Sequence, residues 1–327
     1  MNFKKAVNIV GKLLMLVAFV FIIEKVYSYR ESLVACFSVS MFLKMILCTL
    51  LYGALIFTLP GIYKTLLNMT TSRHFNHTRI AAIYCKSNLY KYLPGNVMQY
   101  VGRNQLAVEE NLSHVDVASA TLLDISTTVF SAFLATLIFA FRYSIEFLQQ
   151  SSSLVRSAVL FLFCACVALV ILIIIALIVK KEKAKAYLSK YFHLITKRNI
   201  IIYLLCIAYN FVVFMGFSLL FMWTLYACGG SLAWKQWPAA IGLFCFSYLL
   251  GFITPGVPGG IGIREAVLSY FFAAWLDPGT IVTAALVYRV ATIFGDLESY
   301  GLSRLFVHLE KKKKGVLTHE GETSKAD

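Results

Sequence analysis

The chain has 327 residues, 59% of them hydrophobic and only 14% charged, against about a quarter charged in a soluble domain. Several apolar runs reach the roughly 20 residues that cross a bilayer, so a soluble globular protein is excluded and an all-α polytopic membrane protein is expected. The formal net charge of +14 is carried mostly by the links between apolar runs, which fits loop topology and anionic lipid headgroups better than nucleic acid.

In chain order, the first apolar span covers residues 7–23. Lys4 and Lys5 ahead of it resemble a signal peptide, but no small-residue cleavage site follows, so the span is expected to be retained. A second span covers residues 34–59 and is expected to end at Pro60-Gly61. Residues 80–103 are amphipathic and carry Lys86, Lys91 and Arg103, with Pro94-Gly95-Asn96 breaking them in the middle. Two short helices in a re-entrant hairpin suit that pattern, and a polar link to His114 follows. Full spans are then expected at residues 115–141, 154–179 and 200–226. Between the last two lies a basic link from Lys180 to Arg198.

Residues 237–278 hold a second broken element. Its centre packs Gly251, Pro255, Gly256, Pro258, Gly259, Gly260 and Gly262 ahead of Arg264 and Glu265. Glycine and proline break helices, and broken backbone at membrane depth is tolerated where it lines a wet cavity or is buried in protein. A sixth span covers residues 281–307. The chain thus reads as one transmembrane domain, 1–309, with a polar tail, 310–327, expected to be disordered. Lys/Arg-rich links place both termini in the cytoplasm.

The two broken elements match. Pro94-Gly95 precedes Arg103 with the same spacing as Pro255-Gly256 precedes Arg264. Each follows a full span and precedes a span bearing a carboxylate, Asp124 or Asp296, and the topology brings them in from opposite faces. Opposed, interrupted segments are the pattern of an inverted repeat with a site at the repeat interface.

Charges at membrane depth are functional candidates by default. Arg264 follows a Gly-rich break at a new helix start, where backbone N–H groups and a guanidinium together suit a phosphate; it equally suits a structural ion pair. Arg103 and Arg289 are further phosphate candidates, with Asn96, Gly259 and Gly260 beside them. Asp124, Glu265 and Asp296 are the candidate charge partners, with Arg103, Lys44 and Arg289 all open to Asp124. Lys86 and Lys91 are expected to snorkel to the surface, and no site is read from the aromatic residues.

No catalytic constellation, metal cluster or cofactor motif is visible. All six histidines lie in links, at span ends or in the tail, no Walker motif occurs, and the eight cysteines read as small apolar fillers without a CxxC pair.

Tyr92-Leu-Pro94-Gly95-Asn96 with Arg103, the run from Pro258 through Gly259-Gly260-Ile-Gly262-Ile-Arg264-Glu265-Ala266, and Val287-Tyr288-Arg289 resemble motifs of the lysylphosphatidylglycerol synthase transmembrane-region family. The resemblance implies a flippase-like protein of the cytoplasmic membrane that moves an anionic phospholipid or polyprenyl-linked lipid. It implies a stand-alone member without the aminoacyltransferase domain, and hence not an enzyme. The alternatives are an accessory subunit working with partner enzymes of envelope lipid or glycan synthesis, and a membrane-embedded lipid-carrier transferase.

Overall fold

The computed structural model describes residues 27, 38–71, 73–92, 97–150, 196–254 and 258–323. Among them there is no strand; eight α-helices follow one another. They are α1 (Val39–Thr71), α2 (His77–Asn88), α3 (Met98–Glu109), α4 (His114–Gln150), α5 (Lys197–Ala227), α6 (Trp237–Ile253), α7 (Ile263–Phe272) and α8 (Pro278–Thr323). Five stretches are long and apolar enough to cross a membrane: Val39–Thr71, His114–Tyr143, Lys197–Ala227, Trp234–Ile253 and Pro278–Lys313. The chain is a multi-pass, all-α membrane protein. The expected spans at residues 7–23 and 154–179 lie outside the described residues, as do Pro94, Gly95, Asn96, Pro255 and Gly256.

Local chemistry sets the helix ends. Asn76 opens α2, its side chain accepting the Thr78 N–H at 2.8 Å, and Thr196 opens α5 by accepting from Asn199 N–H at 3.2 Å. Such caps satisfy donors that the first turn leaves free. At α7 the cap is Gly262, at φ 84°, and the Glu265 carboxylate reaches back to accept its N–H at 2.6 Å. Only glycine holds that φ without strain.

Two expectations are corrected here. Pro60 does not end the second span; it sits inside α1, which continues to Thr71. A membrane helix tolerates proline where neighbours re-satisfy the freed backbone. The polar link before His114 is shorter than expected, because α3 runs to Glu109 and the turn is made at Asn111, at φ 62°. In addition, α8 stays helical to Thr323, through most of the stretch expected as a disordered tail.

The two halves repeat. α1, the α2–α3 hairpin and α4 correspond to α5, the α6–α7 hairpin and α8. Each main packing pair has its mate under that exchange: α1–α8 with α5–α4, α4–α6 with α8–α2, α1–α4 with α5–α8, and α3–α4 with α7–α8. Directions agree as well. α1 and α5 run antiparallel, since Cys48 meets Leu220 and Thr224 while Ile62 and Leu66 pack with Cys206. α1 and α8 run parallel through Tyr52–Tyr288 and Phe57–Phe306. The mate pair does too: Ser126 meets Tyr203 and Phe139 meets Phe211 on α4 and α5. Equivalent helices therefore point in opposite directions, as in an inverted repeat.

The largest cluster of buried apolar side chains joins the halves. It includes Tyr52, Phe214, Phe217, Phe221, Phe244, Phe272 and Tyr288. Bilayer tails supply no hydrophobic drive between helices, so close packing and buried polar contacts hold such an interface. Gly242 illustrates the fit: a Cβ there would lie 2.6 Å from the Ala140 backbone nitrogen on α4.

Candidate functional site

The tips of the two hairpins meet. After α2 a 3-10 turn, Leu89–Tyr92, carries the chain toward the break, and Pro258–Gly260 forms the corresponding turn after α6. These two turns pack on one another. A narrow cavity of about 80 Å³ lies beside them, bordered by Lys91, Tyr92, Gln99, Arg103, Gly259, Arg264 and Arg289, with Tyr84, Tyr100, Tyr248, Phe214 and Phe217 as aromatic walls. At roughly 10–15 Å³ per water by this measure, it holds a handful of waters.

Arg103 is the most enclosed cation, at 2% exposure. Its Nη1 donates to Asp124 Oδ2 at 2.8 Å and its Nε to Ser87 Oγ at 3.3 Å. The guanidinium carbon stands 4.0 Å from the Tyr84 ring centre and 4.7 Å from that of Tyr63. Of the partners open to Asp124, the structure selects Arg103. A buried pair with its donors satisfied and rings on its faces is a fixed feature, not a mobile one.

Arg289 on α8 donates through Nη2 to the Gly259 carbonyl at 2.9 Å and lies 3.4 Å from Glu265 through Nε. It thus pins the Gly-rich turn to α8. Glu265 serves two masters, since its other oxygen caps Gly262.

Asp296 is fully buried. Lys91 Nζ lies 2.7 Å from Oδ2, Asn88 Nδ2 donates to Oδ1 at 2.8 Å, and the Tyr92 hydroxyl also donates to Oδ2. This corrects one expectation: Lys91 does not snorkel outward, because a carboxylate waits for it inside. Asp296, a candidate charge partner, holds this lysine of the first hairpin.

Arg264 differs from the other cations. Its guanidinium carbon lies 4.0 Å from the Tyr248 ring centre, and no carboxylate pairs with it among the described residues; its Nε, like that of Arg289, is enclosed without a hydrogen-bond partner among them. The repeat offers a reason. Arg103 meets its aspartate 21 positions later, and the same count from Arg264 reaches Ala285. The second half keeps the arginine and lacks the counter-ion.

Around the cavity, then, Arg103, Arg264, Arg289 and Lys91 face three carboxylates, Asp124, Glu265 and Asp296. One positive charge is in excess, and Arg264 is the cation without a carboxylate. Such an arrangement can receive an anion without breaking an existing pair. No cluster of histidine, cysteine, aspartate or glutamate able to hold a metal occurs among the described residues.

Of the sequence candidates, Arg103, Arg264, Arg289, Asp124, Glu265, Asp296, Gly259 and Gly260 all converge here. Lys91, expected at the surface, joins them, and Asn88 and the tyrosines were not among the candidates. Tyr84, Asn88 and Lys91 recur at helical spacing on one face, as do Gln99 and Arg103, and that periodicity was the available signal.

None of the curated proteins compared with this chain matches it. A family model does, that of the lysylphosphatidylglycerol synthase TM region, over residues 93–297. The match takes in the second hairpin tip, Arg103, Arg264 and Arg289, and covers more than half of the chain. The protein belongs to the lysylphosphatidylglycerol synthase TM region family.

Proposed function

We propose that this protein binds the phosphate of an anionic membrane lipid between its two hairpin tips and passes the headgroup from one leaflet of the cytoplasmic membrane to the other. The observation that carries the proposal is Arg264, a half-buried cation at the edge of a cavity shared by both halves, with no carboxylate partner and an enclosed Nε without a hydrogen bond among the described residues. Family membership favours a membrane-lipid role, and the repeat supplies two halves that can rock about the site. Arg264 takes the phosphate, with Arg289 and the Gly259–Gly260 backbone beside it. Arg103 and Asp124 hold the opposite wall. The cavity is too small for a headgroup plus its chains, so the hairpin tips part on entry. The role is transport and not catalysis, with both termini on the cytoplasmic side.

The test is reconstitution into vesicles containing phosphatidylglycerol with a fluorophore on one chain, read with a membrane-impermeant reductant. Wild type exposes inner-leaflet label to the reductant. Arg264→Ala slows that exposure about tenfold or more, a loss of roughly 1.4 kcal/mol or greater, with thermal unfolding in detergent unchanged. Wild-type vesicles that keep half their label protected would refute transport and leave an accessory role. Undiminished transport by Arg264→Ala would refute the role given to that residue.

A further inference from the structure

A further carboxyl group sits apart from the cavity. Glu298 lies on α8 and presses against Gly53 of α1: a Cβ on Gly53 would lie 2.7 Å from Glu298 Cδ and 3.0 Å from the Gly295 carbonyl oxygen. A Cβ on Gly295 would in turn lie 2.6 Å from Tyr52 Cδ1 and 3.0 Å from the Gly53 nitrogen. Two backbones therefore touch at a glycine–glycine crossing, the close approach that small residues permit. Glu298 Oε2 is shut into that crossing with no hydrogen-bond partner among the described residues, while the rest of the side chain is only half-buried.

Among the described residues the surroundings offer no counter-charge. On α1 the neighbouring titratable group is the Tyr52 phenol. Lys44 and Lys64 of α1 stand about 13 and 16 Å from Gly53 along the helix axis, and Lys44 lies over the Tyr226 ring. On α8 Asp296 is committed to Lys91 and Arg289 to Glu265. Arg304 follows six positions later on another face. No ion pair involves Glu298 among the described residues. An ionised carboxylate at membrane depth with one oxygen enclosed and no partner is costly, whereas the protonated acid needs no counter-ion.

We propose that Glu298 is a proton-binding site, and that the bound proton holds the α1–α8 crossing closed. Loss of the proton to water leaves a carboxylate that needs hydration, and hydration requires the crossing to open. α1 belongs to the first half and α8 to the second, so this crossing is one along which the halves separate. α8 also carries Arg289 and Asp296, so its movement shifts the cavity wall. The mate crossing between α4 and α5 is made by neutral groups: Ser126 with Tyr203, and Asn210 with Thr127. Proton binding thus acts on one of the two equivalent crossings and gives the cycle a direction. That last step rests on the transport proposal; the proton site itself does not.

Infrared difference spectra of the protein in lipid test the site directly. Wild type at neutral pH is expected to show the carbonyl stretch of a protonated acid that Glu298→Gln lacks and that alkaline pH removes. Glutamine keeps the shape of the protonated acid, so folding is preserved. Identical carbonyl regions in the two proteins would overturn the proposal. In the labelled-phosphatidylglycerol vesicles, an imposed pH gradient is expected to change the wild-type rate and to leave the Glu298→Gln rate unaltered. A gradient response retained by Glu298→Gln would also overturn it. Should wild type move no lipid at all, the transport proposal falls while the infrared result still decides the proton site.

Discussion

Lys91 and Asp296 tie the tip of the first hairpin to the last helix of the second half, Nζ to Oδ2 at 2.7 Å, with the aspartate fully buried and the lysine side chain 18% exposed. Asn88 and Tyr92 complete the carboxylate's partners. The pair fixes the cavity wall where the two repeats meet, because α2 and α8 pack on each other along the same line.

Breaking that pair from one side leaves the other charge stranded. Asp296→Asn is expected to cost about 3–5 kcal/mol of stability, the usual penalty for an uncompensated buried charge. Adding Lys91→Met to it removes the stranded ammonium and recovers a good part of the loss. Thermal or denaturant unfolding in detergent measures the cycle. If the two single losses simply add in the double variant, the residues are not coupled and the structural role given to the pair is wrong.

Much of this site was legible in the sequence for one physical reason. A charge in an apolar helix is expensive, so Arg103, Arg264, Arg289, Asp124 and Asp296 stand out against their surroundings. The matched Pro-Gly breaks likewise announced two hairpins, and their packing mates bear out the repeat. Partner choice was not legible. Whether Asp124 meets Arg103, Lys44 or Arg289 depends on how α3 and α4 dock, which no local pattern states. Lys91 was misjudged because a long lysine stem suits snorkelling equally well, and only the buried Asp296 decides against it. Tyrosines are abundant in membrane helices for interfacial reasons, so the rings on Arg103 and beneath Arg264 carried no distinguishing mark. The α1–α8 crossing was hidden too, since Gly53 and Gly295 are single glycines on helices far apart in the chain.

Two glycines separate packing from function. Gly251 lies back to back with the hairpin turn: a Cβ there would stand 2.7 Å from Arg264 Cγ and 3.2 Å from Gly260 Cα. The two nearest atoms belong to the Arg264 side chain, so Gly251→Ala is expected to fold with a loss within the ~1–3 kcal/mol typical of overpacking, while displacing Arg264. At Gly242 the added atom meets the Ala140 backbone, which cannot step aside, so Gly242→Ala is expected to lose more stability. Unfolding and phosphatidylglycerol transport measured on both variants give the comparison. Gly251→Ala should be the more impaired in transport per unit of stability lost. Equal impairment would mean that the position of Arg264 does not govern transport.

The ring beneath Arg264 makes the sharpest test of what holds that guanidinium ready. Tyr248 presents its face at 4.0 Å and is itself braced edge-on by Phe214, with ring centres 4.8 Å apart. A cation over a desolvated ring is held by roughly 0.5–2 kcal/mol, and without it the guanidinium is free to swing off the cavity. Tyr248→Phe keeps the ring and is expected to leave phosphatidylglycerol transport within about twofold of wild type, a difference under roughly 0.5 kcal/mol. Tyr248→Leu keeps apolar bulk but removes the π face, and is expected to lower transport about three- to thirtyfold, the same 0.5–2 kcal/mol expressed as a rate. Rates from labelled vesicles, paired with unfolding curves for each variant, decide it. If Leu and Phe behave alike, the ring contributes only packing, and Arg264 is positioned instead by its backbone and by Gly251 and Gly260.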